Sequence, residues 1–290
     1  MILKSSFGQK IDLKKIAIIC NKSGKNTEKI ASMLEKLLSI YGHDFVRHNV
    51  QDRVSEFDKT ATLAISIGGD GTLLRTARFY SQYDVPVLGI NLGHLGFLAQ
   101  IGQKHLKHGL DEIIKGNFIL QDRIMLDAYT EKNSENISAL NDIVIKGCEI
   151  SRTTRLRVSI NSQEVCDYMA DGIIISTPTG SSAYNLSAGG AIISPQIDAI
   201  AITPICPHTL SVRPLIISGN EKIQIKTENN NGYVCITADG QDNFRLENGK
   251  KINIKKSDKK AKLVLLNSEE SNFYSVLRTK LNWGISTLKR

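Results

Sequence analysis

Apolar runs alternate with helix-period segments through the first third of the chain, and this alternation restricts the fold more than any other feature. Apolar runs occur at residues 15–20, 62–67 and 85–90, and residues 44–50 could form a further strand. Between them, apolar side chains recur at the spacing of one helix face in residues 27–42 and 72–83. Strands that alternate with helices form a parallel sheet with right-handed crossovers. We therefore expect a doubly wound α/β domain over residues 1–120.

Helix-start signals give expected boundaries for the two helices of this domain. Thr27 is a suitable N-cap for the first helix, and Gly42 is a suitable stop signal after it. The second helix is expected to begin at Thr72, directly after a group of glycines.

The pattern of the second half of the chain is typical of strands. Apolar and polar residues alternate in residues 155–161, 221–227 and 250–256, whereas helical spacing nearly disappears. Residues 121–265 are therefore expected to form a β-rich, sandwich-like domain. In residues 266–290, four apolar side chains return to helical spacing: Phe273, Val276, Leu277 and Leu281. This segment is expected to be a closing helix that packs back on the first domain, so the predicted fold class is α/β plus all-β.

The net charge of +8 lies near the end of the chain. Residues 245–290 contain 12 Lys or Arg and 4 Asp or Glu, so the preceding residues are balanced. No aromatic side chains interleave with the lysines of residues 250–262, as a stacking platform for nucleic acid would require. A solvated strand edge protected by lysine is the favoured interpretation, and no nucleic-acid partner is expected.

The sequence also carries signals about the cellular compartment. No apolar stretch is long enough to span a bilayer, and the apolar run at residues 16–20 is too short for a signal peptide. The five cysteines occur singly, without a C-x-x-C pair, which is typical of reduced thiols. We therefore expect a cytoplasmic protein with no membrane partner.

A glycine-rich turn, GGDG at residues 68–71, follows the apolar run at residues 62–67. Ligands of open α/β sheets bind beyond the carboxyl ends of the strands, where glycines let backbone N–H groups approach a phosphate. A carboxylate is electrostatically unfavourable there unless it meets a hydroxyl proton or a cation, as in a kinase site. Asp70 is therefore a candidate base, orienting group or metal ligand, and Arg75 is a candidate phosphate contact. A tight turn with an N-capping Asp is the alternative.

A second polar cluster follows the apolar residues 173–175. Its members are small hydroxyl residues grouped around Pro178 and Gly180: Thr177, Thr179, Ser181 and Ser182. This concentration indicates a ligand site, although a Ser/Thr turn before a helix is the alternative. Gly180 is expected to adopt a conformation open only to glycine or to bring backbone close to the ligand. The Tyr184 ring either meets the ligand or is part of the core.

Five motifs occur in the order seen in NAD kinases: GGDGTLLR (68–75), LGFL (95–98), LND (140–142), DGIIISTPTGSSAY (171–184) and ADGQ (238–241). The chain thus resembles bacterial members of the ATP-NAD kinase family over nearly its whole length. GGDG also occurs in lipid kinases and phosphofructokinases, whereas TPTGSSAY differs by one serine from the family's common TPTGSTAY. The resemblance implies a phosphotransferase that uses ATP to phosphorylate the 2′-hydroxyl of the adenosine ribose of NAD, giving NADP.

The resemblance also implies roles for individual residues. Asp70 matches the family's proposed general base. Contacts with NAD are implied for the matching positions: Asp70, Gly71, Arg75, Asn141, Asp142, Arg152, Asp171, Ser182, Ala183, Tyr184, Asn185, Leu186, Ser187 and Gln241. Met169 departs from the family, which often has a basic residue there. A divalent cation, usually Mg²⁺, and assembly as a homodimer or homotetramer are also implied, with no residue assigned as a dedicated metal ligand.

Two other classes of protein share part of this pattern. A lipid kinase of the diacylglycerol or sphingosine type contains GGDG and a β domain, but it needs an apolar channel for acyl chains. The polar TPTGSSAY loop argues against such a channel. A non-catalytic dinucleotide-binding regulator would not require a carboxylate at position 70. Assays of ATP with NAD and of ATP with diacylglycerol separate these classes.

Overall fold

The computed structural model describes residues 2–5, 8–22, 26–53, 56–92, 96–99, 101–131, 135–148, 153–228, 232–247, 249–266 and 272–282. The strands are β1 Ile2–Lys4, β2 Lys10–Asp12, β3 Lys15–Cys20, β4 Asp44–Asn49, β5 Leu63–Gly68, β6 Val87–Asn91, β7 Ile101–Gly102, β8 Phe118–Thr130, β9 Asn136–Ala139, β10 Asp142–Gly147, β11 Thr154–Ile160, β12 Gln163–Ala170, β13 Gly172–Ser176, β14 Ala199–Ile205, β15 Leu215–Ser218, β16 Ile223–Glu228, β17 Tyr233–Ala238, β18 Asp242–Glu247 and β19 Lys251–Leu266. The helices are α1 Thr27–Ile40, α2 Asp70–Ser81, α3 Leu106–Ile114, α4 Tyr184–Ser187 and α5 Phe273–Leu281. Contacts divide the chain into a first unit, Met1–Asp122 with Ala261–Arg290, and a second unit, Arg123–Lys260.

The first unit is built on a parallel sheet with the order β4–β3–β5–β6. The end of β19 and the short strand β7 also pair in parallel with β6. Every residue of β5 and of β6 is buried, as expected for parallel strands covered on both faces. The expected α/β architecture is confirmed.

Helices complete the core of the first unit. The apolar side chains of α1 and α3 pack in one cluster with strands β3, β5 and β6. Helix α5 buries Val276 and Leu277 and belongs to the same unit, which confirms the closing helix.

Two expected helix boundaries are wrong. The N-cap of α1 is Asn26, which adopts a left-handed conformation with φ 63°, and Thr27 is the first helical residue. Helix α2 begins at Asp70, two residues before Thr72, with the extended Gly69 as its N-cap. An acidic residue in the first turn interacts favourably with the helix dipole, which explains why the helix includes Asp70 despite the glycine beside it.

The second unit contains two antiparallel sheets. One has the order β15–β14–β13–β10–β17–β18, and the other contains β12, β11, β16 and the beginning of β19. Inward-facing side chains of both sheets form one apolar cluster, which confirms the sandwich-like architecture. Contributors to this cluster include Ile143, Ile145, Ile173 and Ile175 from the first sheet, and Leu156, Val158, Ile225 and Ile252 from the second.

Two cysteines of the second unit are bonded to each other. Cys148 and Cys235 form a disulfide with a Cα–Cα distance of 5.4 Å, so the expectation of reduced thiols is wrong for this pair. Antiparallel pairing of β10 with β17 brings together two residues that are 87 positions apart, which their isolated positions in the sequence could not indicate. Cys20, Cys166 and Cys206 are free.

The described part of the chain holds no helix that is both long and apolar enough to cross a membrane.

Candidate functional site

Asp70 lies at the carboxyl end of β5, as the first residue of α2. A Cβ atom on Gly68 would lie 2.4 Å from the Thr72 hydroxyl, so the close return of the helix onto the strand requires glycine there. The space beside Gly69 is open. Since the N-cap is Gly69 and no side chain caps the helix, the alternative of an N-capping Asp70 is wrong.

The loop of the LGFL motif covers the Asp70 carboxylate. The backbone N–H groups of Phe97 and Leu98 face this carboxylate and act to lower its pKa. A Cβ atom on Gly96 would lie 2.1 Å from Asp70 Oδ1. That oxygen is buried and accepts no hydrogen bond from the described residues. Residues of two motifs that are distant in the sequence are therefore in direct contact. Leu95, the first residue of LGFL, lies outside the described residues.

Opposing effects act on the pKa of Asp70. Burial is the largest effect and raises this pKa above its ordinary value. The positive charge of Lys280 and the N–H groups of Phe97 and Leu98 act in the opposite direction. Lys280 lies in α5, with its Nζ 5.3 Å from the centroid of the Phe97 ring. The closing helix thus brings a cation to the region of Asp70.

Gly71 and Arg75 are also placed by α2. Gly71 is the second helical residue and is exposed. Arg75 lies one turn further along the helix, where its Nη2 donates to the carbonyl oxygen of Asp52 at 3.3 Å. The Nε of Arg75 is buried and has no partner among the described residues.

In the second unit, Asp239 of the ADGQ motif holds the LND motif in place. Its carboxylate accepts hydrogen bonds from the backbone N–H groups of Leu140, Asn141 and Asp142 at 3.0, 2.7 and 3.2 Å. Asp239 itself adopts a left-handed conformation with φ 51°. Burial, together with the nearby Asp239 carboxylate, raises the pKa of Asp142 to about 7. The Oδ1 of Asn141 is buried and accepts no hydrogen bond within the described part of the chain.

The TPTG turn packs against the same LND motif. Thr177 donates from its N–H to Asn141 O at 2.8 Å and from its hydroxyl to Leu140 O at 2.6 Å. A Cβ atom on Gly180 would lie 2.2 Å from Asn141 O. Gly180 is not among the glycines with positive φ, so a conformation open only to glycine is excluded. Glycine is required there because the turn approaches Asn141 closely.

The segment after this turn contains both structural and accessible side chains. Asn185 is fully buried, and its Nδ2 donates to the carbonyl oxygens of Ser181 and Ala191 at 3.2 and 3.1 Å. Its Oδ1 accepts from the Thr203 hydroxyl at 2.6 Å. Tyr184, by contrast, is 43% exposed, so the alternative of a core ring is wrong. The remaining members of the segment are half-buried or exposed: Ser182, Ala183, Leu186 and Ser187.

Comparison with known proteins shows which family combines these motifs. The ATP-NAD kinase N-terminal domain matches residues 18–118, and the ATP-NAD kinase C-terminal domain matches residues 140–266. A curated NAD kinase from Caldanaerobacter subterraneus subsp. tengcongensis is 38% identical over 282 residues, covering 93% of this chain and 99% of that protein. This chain belongs to the ATP-NAD kinase family.

Two further comparisons support the assignment to the ATP-NAD kinase family. A curated NAD kinase from Syntrophotalea carbinolica is 45% identical over 225 residues, covering 77% of this chain and 78% of that protein. The crystal structure of yeast NADH kinase complexed with NADH superimposes with a TM-score of 0.81 at 25% identity. That alignment covers 96% of this chain and 90% of the yeast chain.

Not all of the remaining residues that were predicted to contact NAD lie near the LND motif. Gln241 does lie near it, in the turn between β17 and β18, with its N–H bonded to Ala238 O at 2.9 Å. Asp171 is exposed and precedes β13, at the strand end opposite Thr177. Six residues of extended chain place these two about 20 Å apart. Arg152 lies outside the described residues.

Three residues that act on candidate residues of their own unit were missed in the sequence: Arg123, Asp239 and Lys280. Asp239 was part of a recognised motif, and an Asp-Gly pair is a turn signal that could have indicated its role. Arg123 and Lys280 carry no local signal, because their neighbours come from distant parts of the chain.

Proposed function

We infer that this chain is an NAD kinase, which transfers the γ-phosphoryl group of ATP to the 2′-hydroxyl of the adenosine ribose of NAD and produces NADP. The observation that carries this conclusion is the 38% identity to a curated NAD kinase across 93% of the chain. The lipid-kinase and regulator alternatives gain no support from the relatives, which are named as kinases of NAD or NADH.

In this proposal, Asp70 binds the ribose hydroxyl that attacks the phosphorus. Its buried Oδ1 has no partner among the described residues, so one acceptor of this carboxylate is left unused by the protein. Burial raises the pKa of Asp70, which makes the carboxylate a stronger base. Because the transition state of phosphoryl transfer is loose, little proton removal is needed before attack, and orientation of the hydroxyl is a large part of the role.

We assign the binding of NAD to the two motif-bearing segments of the second unit; the family motifs imply further contacts from residues of α2. Asn141 has an unpaired buried amide oxygen, which suits a donor on the ligand. Tyr184 offers an exposed ring for a base or a ribose edge. Further proposed contacts are the other residues implied by the family motifs: Gly71, Arg75, Asp142, Arg152, Asp171, Ser182, Ala183, Asn185, Leu186, Ser187 and Gln241. The buried side chain of Asn185 would act by fixing the loop, because its amide is already fully bonded within the second unit.

A divalent cation, most simply Mg²⁺, fits this arrangement as a companion of the ATP phosphates. The described residues contain no group of three His, Cys, Asp or Glu that could hold a metal ion. Mg²⁺ commonly uses only one or two carboxylates and completes its coordination with substrate phosphates and water. The ATP phosphates and water would supply most of its ligands, and the cation would neutralise phosphate charge during transfer.

We further propose that the protein acts in the cytoplasm as a homodimer or homotetramer. Light scattering coupled to size-exclusion chromatography measures the assembly directly. A monomer at micromolar concentration would contradict this part of the proposal.

An assay with purified protein tests the function. ATP, Mg²⁺ and NAD are incubated with the protein, and NADP is detected with an NADP-specific dehydrogenase. The Asp70→Asn variant should fold and lose about 10²- to 10⁴-fold in turnover, because only the proton acceptor is removed. The Asp44→Asn variant, at an exposed position of the same unit, is the matched control and should retain full turnover. Phosphorylation of diacylglycerol in place of NAD would overturn the proposed function.

A further inference from the structure

Arg123 is a buried cation with no counter-ion among the residues that the structure describes. It lies in β8 and is only 6% exposed. Its Nη1 donates to the Thr179 hydroxyl at 3.4 Å, while its Nε is buried and has no partner among the described residues. No carboxylate forms an ion pair with it within the described part of the second unit. Burial lowers the pKa of Arg123 to about 10, with no neighbouring acid opposing this effect.

This arrangement is unfavourable for a protein without a ligand. A guanidinium carries five N–H donors, and one long hydrogen bond to a neutral hydroxyl satisfies only one of them. Removing a charge from water without a partner costs far more free energy than such a bond returns. An anion that enters the site would supply the missing charge and acceptors.

We propose that Arg123 and Thr179 bind a phosphate group of a nucleotide substrate. This inference rests on the proposed function, because phosphates are the anionic groups that NAD and ATP share. The planar fork of a guanidinium matches phosphate oxygens in two parallel hydrogen bonds, and the Thr179 hydroxyl adds a further donor. Thr179 is itself only 7% exposed, so the pair lies in a largely water-excluded environment, where a charge-assisted hydrogen bond to phosphate is strong.

The position of Thr179 supports a role in substrate binding. Thr179 belongs to the TPTG turn, which Thr177 and Gly180 hold against Asn141. Arg123 therefore contacts the same turn that positions the proposed dinucleotide contacts. No residue of this pair belongs to the contacts implied by the family motifs.

The first experiment measures the stability of ligand-free protein. Arg123→Met removes the charge but keeps an unbranched, apolar side chain of similar reach. If Arg123 is an anion-binding residue that is unpaired in the ligand-free protein, the variant should melt at the same temperature as the wild type or higher. The reason is that the substitution removes an unpaired buried charge. The control is Arg245→Met, which removes an exposed arginine of the same unit. A clearly lower melting temperature for Arg123→Met alone would identify a structural cation and overturn the proposal.

The second experiment measures binding with four probes: sodium tripolyphosphate, NAD, ATP and adenosine. Tripolyphosphate should raise the melting temperature of the wild type and of Arg245→Met, but not that of Arg123→Met. In calorimetric titrations, Arg123→Met should weaken NAD or ATP by roughly 10- to 100-fold, and the substrate affected identifies which phosphate is bound. Affinity for adenosine, which has no phosphate, should stay the same. Unchanged affinities for both NAD and ATP would overturn the proposal and indicate that internal water solvates Arg123.

Two further variants keep the test decisive if Arg123→Met does not fold. Arg123→Lys keeps the charge but loses the planar guanidinium group. Thr179→Val removes the hydroxyl group while keeping the shape of the side chain. Both variants should weaken the binding of the same substrate as Arg123→Met does, by a smaller factor. Wild-type affinity in both variants would contradict the site.

The outcomes also separate this site from the proposed function. A wild type that binds tripolyphosphate through Arg123 but makes no NADP would refute the function alone.

Discussion

Among single residues, Asp70 shows how a closing helix can act on a distant carboxylate. Burial raises its pKa, whereas the charge of Lys280 acts against that rise. A general base must be deprotonated at the working pH, so both effects matter for its proposed role. Lys280 therefore keeps the carboxylate in its charged form over a wider pH range.

Replacing Lys280 by Met should move the acid limb of the pH–activity profile to higher pH. The pKa of Asp70 rises when the positive charge is removed, so more of the carboxylate is protonated at a given pH. Because Lys280 is exposed, the difference between variant and wild type should shrink in 1 M salt. Arg278→Met, on the same helix but on another face, is the matched control and should leave the limb in place. Identical acid limbs for Lys280→Met and wild type would contradict the role of Lys280.

Asp142 has a consequence for stability as a function of pH. Its pKa rises from an ordinary value of 3.8 to about 7 in the folded protein. The folded state thus holds this proton more strongly than the unfolded state does. The contribution of Asp142 to stability is most favourable below pH 4 and is lost as the pH rises through about 7.

Replacing Asp142 by Asn should therefore stabilise the protein at pH 8. We expect the free energy of unfolding to increase by roughly 2–4 kcal/mol at that pH, and by little or nothing at pH 4. Urea unfolding of both proteins at several pH values measures the difference. Glu247→Gln, which changes an exposed acid of the same unit, serves as the control. A difference that does not depend on pH would show that the Asp142 carboxyl is not titrating as described.

At the scale of structural elements, the contact between the TPTG turn and the LND motif depends on one glycine. A Cβ atom on Gly180 would approach Asn141 O to 2.2 Å and the carbonyl carbon to 2.4 Å. Both are backbone atoms, so no side-chain rotation relieves the overlap. One of the two segments would have to move.

Gly180→Ala should destabilise the protein by about 1–3 kcal/mol and raise the KM for NAD, because Asn141 is displaced. Gly102→Ala is the matched control, since no atom lies within 4 Å of the position that its new methyl group would occupy and its φ is −81°. This control should be neutral or slightly stabilising. Chemical denaturation and steady-state kinetics provide the two measurements. A Gly180→Ala variant with wild-type stability and KM would show that the turn is free to move away from Asn141.

Elements were predictable where local patterns determine them. Strands β3 and β5 and helix α1 follow from apolar periodicity, because burial on one or both faces selects those side chains. The start of α2 was placed two residues late, since the glycines before Thr72 obscure a helix that begins with Asp70. Motif similarity indicated which loops carry the candidate residues, but not how the loops of one unit contact each other. The packing of Gly96 over Asp70 depends on tertiary structure that no local pattern contains.

At the scale of the whole molecule, long-range contacts account for what the sequence did not reveal. Neither the Cys148–Cys235 pair nor the isolation of Arg123 has a local signature, because each depends on how distant strands are arranged. The domain boundaries inferred from the sequence, after residues 120 and 265, stay a prediction.

The disulfide gives a prediction at this scale. Cys148 and Cys235 enclose a chain segment with a sequence separation of 87, so the bond restricts the unfolded state of the second unit. Cys235→Ser should lower the free energy of unfolding by about 2–4 kcal/mol under oxidising conditions. Adding a reductant should lower wild-type stability to the same level and leave Cys235→Ser unchanged. Cys166→Ser, at a free half-buried thiol of the same unit, is the control. Equal stability of oxidised and reduced wild type would contradict a stabilising bond.

The first unit is discontinuous in sequence, and this has a consequence for how the protein is made. Strand β6 leaves the ribosome early, but its partner residues Leu263 and Val264 follow only after the entire second unit has been translated. At synthesis rates of about 5–20 residues per second, roughly 10–30 seconds pass between the synthesis of Val87–Leu88 and that of their strand partners. Lys280 emerges later still, so the nascent chain carries Asp70 without the cation that acts on it. The charge environment of Asp70 is therefore completed late in translation.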